Sequence, residues 1–314
     1  MSDHQFIAHQ DIGDIFSGIY YVSSCDIRKN VRGDSYMDLT LRDSSGSRDV
    51  KYWSVNTEMS QGDFVKIEAK VEQYNSSPSF VATNVTLSGV PESMDNYISK
   101  YEDLDGLKVK FEEMVNRLEG YCKSSGDSTA INLVGEVFKS DKMLKAFTFA
   151  PGSDRVHYGK VGGLLAATIR VASLAESLAI QNGLSEKEKA LTLSAGLIHR
   201  VGALDAFNFE DLVPTSSLRG TLLGISNLTM ARIQSALKRV EDFDVDSATR
   251  ILHCIASITG YGSVKPSTKE ALSLSAAFRS DSDLVESFDF ISDDVSGGDF
   301  TAYDVQKHRR YYKG

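Results

Sequence analysis

The stretch SYMDLTLRDSSGSRDVKYW, residues 35–53, decides how the first third of the chain is read. Its flanks, SYMDLTLRD (35–43) and SRDVKYW (47–53), are rich in β-branched and aromatic residues with partial alternation, and DSSG (43–46) between them is turn chemistry. This is a strand, a tight turn and a second strand. The same grammar extends on both sides. GIYYVSSCDIR (18–28), DFVKIEAKVEQY (63–74) and SFVATNVTLSG (79–89) read as strands, separated by NVRGD (30–34), SQGD (60–63) and NSSPS (75–79). SVNTEMS (54–60), between the third and fourth strands, is placed to hold a helical turn. Five short strands so interrupted predict a small Greek-key barrel, the OB-fold; a sandwich would need about seven.

After Pro91 the pattern changes. Leu107, Phe111, Met114, Val115 and Leu118 recur at helical spacing, and further helices are expected near 128–139, 140–148, 161–182, 185–200, 226–240, 244–260 and 268–281. Asn182-Gly183 and GYGS (260–263) act as stops, and Ser185 with Glu188 is a capping-box start. The expected class is therefore α+β multidomain. A five-stranded OB barrel spans 1–90, a linker and connecting helix 91–125, an all-α domain 126–285, and a tail 286–314 that is first acidic, then basic and aromatic.

The chain has 314 residues, 41% hydrophobic and 25% charged, which suits two ordinary globular cores. No apolar run reads as a membrane span, and the polar start lacks the regions of a signal peptide. Cys25, Cys122 and Cys254 lie far apart without CxxC spacing, as expected in a reducing cytoplasm. A net charge of −9 argues against coating nucleic acid through bulk electrostatics, but is compatible with a local basic groove.

OB barrels that hold single strands stack bases on exposed aromatics and track phosphates with basic residues. Tyr36, Tyr52, Trp53, Tyr74 and Phe80 are the aromatic candidates; Arg28, Lys29, Arg32, Arg42, Arg48, Lys51 and Lys66 are the basic ones. The plain alternative for each aromatic is a place in the barrel core. The density of Arg and Lys over 28–51 favours a binding face for single-stranded DNA or RNA.

Four local patterns, in order, carry a resemblance. LTLRDSSGSRDVKYW (39–53), HYGKVGGLLAAT (157–168), AGLIHRVGAL (195–204) and the segment from LHCIASITGYG to KPSTKEALSLSAAFRSD (252–281) resemble motifs of the YhaM-type bacterial 3′-to-5′ exoribonucleases. The family joins an OB barrel to an HD-superfamily phosphohydrolase domain. The resemblance implies an HD-like helical domain, a tendency to self-associate, and a structural role for Trp53.

The departures fall on the family's metal ligands. Carried over position by position, the first ligand histidine is Ala167, and His157 is followed by Tyr158 rather than a second histidine. The aspartate of the His-Asp pair is Arg200, with only His199 kept, and the late aspartate aligns with Phe278, although Asp281 is near. A further family histidine corresponds to Ile225, and His253 lies in the segment where others were. Arg200 sets a permanent positive charge where a cation would need a carboxylate. The expectation is a vestigial site of His157, Ala167, His199, Arg200, His253 and Phe278, with no metal, no cofactor and no catalytic residue. The Arg200 guanidinium would then need a partner, with Asp205 and Asp281 as candidates. DFDVDS (242–247) reads as an acidic helix start rather than a calcium loop.

The function expected is a non-catalytic single-stranded nucleic-acid-binding protein. Its inactive helical domain would serve homo-oligomerisation or docking to a replication or RNA-processing protein, with no membrane role. The alternative is a residual metal-dependent 3′-to-5′ exonuclease or phosphohydrolase.

Overall fold

The first strand is long enough to serve two partners. In the computed structural model, which describes residues 4–55, 58–74, 77–101, 103–153, 158–209, 212, 214–294 and 296–314, β1 (Ile15–Lys29) pairs antiparallel with β4 (Phe64–Tyr74) from Ile15↔Lys70 to Tyr21↔Phe64. It then pairs with β2 (Ser35–Asp43) from Tyr21↔Arg42 to Lys29↔Ser35. The register slips between Val22 and Ser24. A bulge of this kind bends a strand and lets it turn from one neighbour to the next. β3 (Gly46–Tyr52) follows β2 as a hairpin, and β5 (Ser77–Ser88) pairs antiparallel with β4 and parallel with β3 from Val50↔Phe80 to Tyr52↔Ala82. The barrel closes in the order β1-β2-β3-β5-β4. That is the five-stranded OB-like barrel expected.

The alternation along β2 explains the interior: Met37, Leu39 and Leu41 are buried, with half-buried residues between them. They meet Phe16, Tyr20, Val50, Val65, Ile67 and Phe80 in one core. Asp43, at the end of β2, is fully buried and accepts hydrogen bonds from the backbone N–H groups of Ile7 and Ser45, both at 2.8 Å. The Oδ2 atom that accepts from Ile7 also faces His4 Nε2 at 3.0 Å. A buried carboxylate needs such donors, and here they tie the segment before β1 onto the barrel. The turns expected at 54–60 and 75–79 fall partly on residues 56–57 and 75–76, outside the described residues.

A second compact unit, Tyr101–Ser287, is helical. It contains α1 (Leu104–Ser125), α2 (Thr129–Val137), α3 (Asp141–Phe149), α4 (Gly163–Gln181), α5 (Glu186–Ile198), the short α6 (Ala203–Ala206), α7 (Leu218–Leu237) and α8 (Val245–Ala256). α9 (Lys269–Asp293) begins in this unit. The capping box at Ser185 and Glu188 is present, and Asp244 caps α8 by accepting from Ser247 N at 2.7 Å. α7 starts earlier than its apolar pattern suggests and kinks at Gly224, where φ is 72°. α4 is long and apolar enough to cross a membrane by composition, yet 67% of that stretch is buried, as in a core helix. α4 and α5 form the centre, packed so closely that a Cβ on Gly196 would come within 2.9 Å of Ala172.

The C-terminal residues are folded rather than a plain tail. Phe288–Gly314 groups with the barrel as one unit. Within it, Asp294 accepts from Ala302 N at 2.8 Å and Lys313 Nζ at 2.9 Å, and isolated bridges join Phe300 to Tyr312 and Asp304 to Arg309.

Candidate nucleic-acid interface

Strand register sets the outer face of β1, β2 and β3. Met37 points inward, so Tyr36 faces out, opposite Arg28 on β1. On the other side Met37 pairs with Tyr52, and the next residue, Trp53, lies against Tyr36 with ring centroids 5.1 Å apart and planes inclined by 40°. Trp53 is 52% exposed. The sequence resemblance assigned Trp53 a structural place; here its ring is half-exposed and packs against Tyr36. Tyr74, at the end of β4, is 66% exposed, and Lys51 Nζ sits 5.8 Å from its ring centroid.

The charges on this face are mixed. Asp38 pairs with Asp26 across β1 and with Lys51 across β3. Arg28 reaches both carboxylates, Asp38 at 3.1 Å and Asp26 at 3.8 Å. Segment 28–51 is thus basic in count but interleaved with acid in space. Exposed pairs of this kind contribute roughly 0–1 kcal/mol. Arg28, itself 59% exposed, can therefore exchange a carboxylate for a phosphate at little cost. Lys29 ends β1, and Arg32 occupies the β1–β2 turn, where Asn30 Oδ1 accepts from the backbone N–H groups of Arg32 and Asp34, both at 2.9 Å.

Other expected contact residues lie elsewhere. Phe80 is only 4% exposed and stands edge-on to Phe16 in the core, so it offers no stacking face. Arg48 lies over the Phe80 ring at 6.0 Å and donates to the Ala8 carbonyl at 3.2 Å, which makes it part of the barrel wall. Tyr52 is half-buried against the core. Arg42 is at the far end of β2, opposite Ser47 and Tyr21, and Lys66 projects from β4 beside Ile19. The structure therefore brings together Tyr36, Trp53, Arg28, Lys29 and Arg32 at one end of the face, with Lys51 and Tyr74 flanking.

The second set of sequence-derived positions is in the helical unit. His199 closes α5 and is 3% exposed. Its Nδ1 lies 2.7 Å from the Gly196 carbonyl oxygen, while Nε2 is buried with no hydrogen-bond partner among the described residues. Burial pushes the imidazole pKa down to about 4, and the neighbouring Arg200 charge acts in the same direction. Phe278 stands edge-on to it at 6.0 Å. Arg200 turns away, donating through Nε and Nη2 to the Gly152 carbonyl. Neither expected carboxylate receives it. Asp205 binds Arg232, and the 5%-exposed Asp281 accepts from Tyr158 Oη and Arg170 Nε, both at 2.7 Å. Burial and the Asp281 charge together hold the Tyr158 phenol well above its ordinary pKa.

Ala167 is buried with Tyr158 and Val285, while Ile225 packs against the main helical core. His253 is committed elsewhere, its Nε2 accepting from Ser267 N at 2.9 Å. His157 lies outside the described residues. Gly202, three residues after His199, donates to Thr229 Oγ1 at 3.0 Å; a Cβ there would sit 2.3 Å from Thr229 N, so only glycine permits this approach to α7. Among the described residues, no three His, Cys, Asp or Glu side chains converge as a metal site would require.

No family model matches this chain, and no curated protein matches it. Among solved structures it is similar to the second OB-fold domain of replication protein A from Methanococcus maripaludis. The identity is 15% and the TM-score 0.23, over 29% of this chain and 99% of that one.

Proposed function

We propose that the chain is a non-catalytic single-stranded nucleic-acid-binding protein. In this reading the barrel face holds DNA or RNA, and the helical unit is a degenerate HD-type domain kept as a scaffold for self-association or partner docking. The carrying observation is the half-exposed Trp53 ring paired with Tyr36 beside Arg28 on the β1-β2-β3 face. Every base has a π-face, so such a platform binds without sequence preference, at about 1–3 kcal/mol per stacked base. Arg28, Lys29, Arg32 and Lys51 would meet the phosphates. Their contribution is electrostatic and falls steeply with salt.

The scaffold reading of the helical unit is supported by the chemistry at the positions where the resembling family carries ligands. A guanidinium replaces one carboxylate, a phenyl ring replaces another, and Asp281 is already engaged by Tyr158 and Arg170. The test pairs binding with turnover. End-labelled DNA and RNA oligonucleotides are titrated by fluorescence anisotropy with magnesium or manganese, and the strands are then sized on a gel. Salt-sensitive binding with full-length strands recovered supports the proposal. Manganese-dependent shortening from the 3′ end would replace it with a residual exonuclease.

A further inference from the structure

We propose that the hairpin over residues 300–312 is a second contact for single-stranded nucleic acid, stacking a base on Phe300 and Tyr312 and meeting a phosphate with Arg310. This rests on the reading that the chain holds a single strand, and adds a contact outside the barrel strands. Antiparallel bridges Phe300↔Tyr312 and Asp304↔Arg309 define the hairpin. Thr301, 1% exposed, donates its N–H to the Tyr311 carbonyl at 2.9 Å, and its Oγ1 accepts from Tyr311 N at 3.0 Å. Asp304 Oδ1 closes the turn by accepting from the N–H groups of Gln306 and Lys307 at 2.9 and 3.1 Å. At the base, the Phe290 ring of α9 lies 5.9 Å from that of Tyr311, and Lys313 Nζ donates to Asp294 at 2.9 Å. One side of the hairpin is thereby fixed.

The other side is open. Phe300 and Tyr312 are 55% and 64% exposed, with ring centroids 5.6 Å apart and planes inclined by 60°. Ala302 and Arg310, the next alternate positions on the two arms, are exposed as well. Residues two apart on extended backbone share a side, so these four make one surface of two rings, a methyl group and a guanidinium. None of the four is a carboxylate. Asp299 alternates with Phe300 onto the side of Thr301, while Asp304 is 6% exposed and spent on the turn. Arg310 pairs with no carboxylate among the described residues, and exposed His308 and Arg309 precede it. A cross-strand aromatic pair can steady a hairpin. Here the bonds of Thr301, Asp304 and Lys313 already hold it, and both rings still keep more than half their surface in water. A nucleotide satisfies both features, its base covering a ring and its phosphate meeting the guanidinium; an acidic peptide would satisfy the charge alone.

The test is anisotropy titration of the full chain with labelled oligothymidylate and oligouridylate, with unlabelled strand and polyglutamate as competitors. Phe300→Ala and Tyr312→Ala should each weaken strand binding about fivefold or more. Arg310→Ala should weaken it modestly and reduce the salt slope by about one counterion. Where a ring variant fails to fold, Arg310→Glu, a change at an exposed side chain, decides the matter by a larger loss than Arg310→Ala. Binding that weakens in Trp53→Ala but in no hairpin variant overturns the second contact and leaves the barrel reading standing. The reverse pattern supports the hairpin and removes the barrel face. Absence of binding to either strand overturns both. Polyglutamate that displaces the labelled strand as well as unlabelled strand does would assign the surface to acidic proteins and overturn the proposal.

Discussion

The Arg200 guanidinium grips the Gly152 carbonyl oxygen through two nitrogens, Nε at 2.9 Å and Nη2 at 2.8 Å, and so ties the end of α5 to the segment before α4. Hydrogen bonds from a charged donor are worth about 1.5–3 kcal/mol. Arg200→Asp should therefore lower stability by about 2–3 kcal/mol in a denaturant titration, and should confer no metal-dependent hydrolysis. A variant of undiminished stability that cuts oligonucleotides with manganese would contradict the scaffold reading of the helical unit.

His199 supplies a pH dependence whose sign is fixed by burial. Its folded pKa is lowered to about 4, whereas the unfolded imidazole titrates near 6.5. The unfolded chain therefore binds the extra proton between those values. The contribution is complete above pH ~6.5 and is lost as pH falls toward ~4, in total about 3 kcal/mol. Thermal melts across that window should slope upward with pH in the wild type and flatten in His199→Gln. Parallel slopes would mean that another group carries the effect.

Two aromatic residues of the barrel should separate cleanly. Phe80→Ala empties core volume and should cost about 3–5 kcal/mol of stability. Tyr36→Ala should leave the melting temperature nearly unchanged while costing about 1–3 kcal/mol of single-strand affinity. Equal loss of affinity in both variants, measured where both are folded, would remove the distinction between core and platform.

The basic residues divide in the same way. Lys51→Ala should weaken binding modestly and reduce the salt slope by about one counterion. Arg48→Ala should act on stability instead, because its guanidinium packs on Phe80 and bonds the Ala8 carbonyl. Anisotropy titrations at several salt concentrations, beside melts of each variant, check both outcomes.

The barrel was legible because its signals are local. Turn residues and two-residue alternation place β2 at 35–43 as its bounds fall, and the capping box places the start of α5. Which aromatic faces out was not read from the sequence; strand parity and pairing decide it. Val50 must be inside, so Tyr52 turns inward and Trp53 outward, and Phe80 follows Val50 inward through the β3–β5 pairing. Residue counts alone hid this, just as they hid Asp26, Asp38 and Asp49 interleaved among the basic side chains. What no local pattern carries is long-range partnership. Arg200 chose a backbone carbonyl rather than Asp205 or Asp281, and Phe288–Gly314 joins the barrel's unit across nearly the whole sequence.

Trp53 is the only tryptophan in the chain, and it stands on the proposed platform. Its intrinsic fluorescence therefore reports on the central claim without a label. Titration with a short single strand should quench the emission saturably as a base stacks on the indole. The quench should reverse as salt is raised, and the strand should be recovered at full length. Emission that stays constant while anisotropy shows the strand bound would contradict the account and move the binding site off this face.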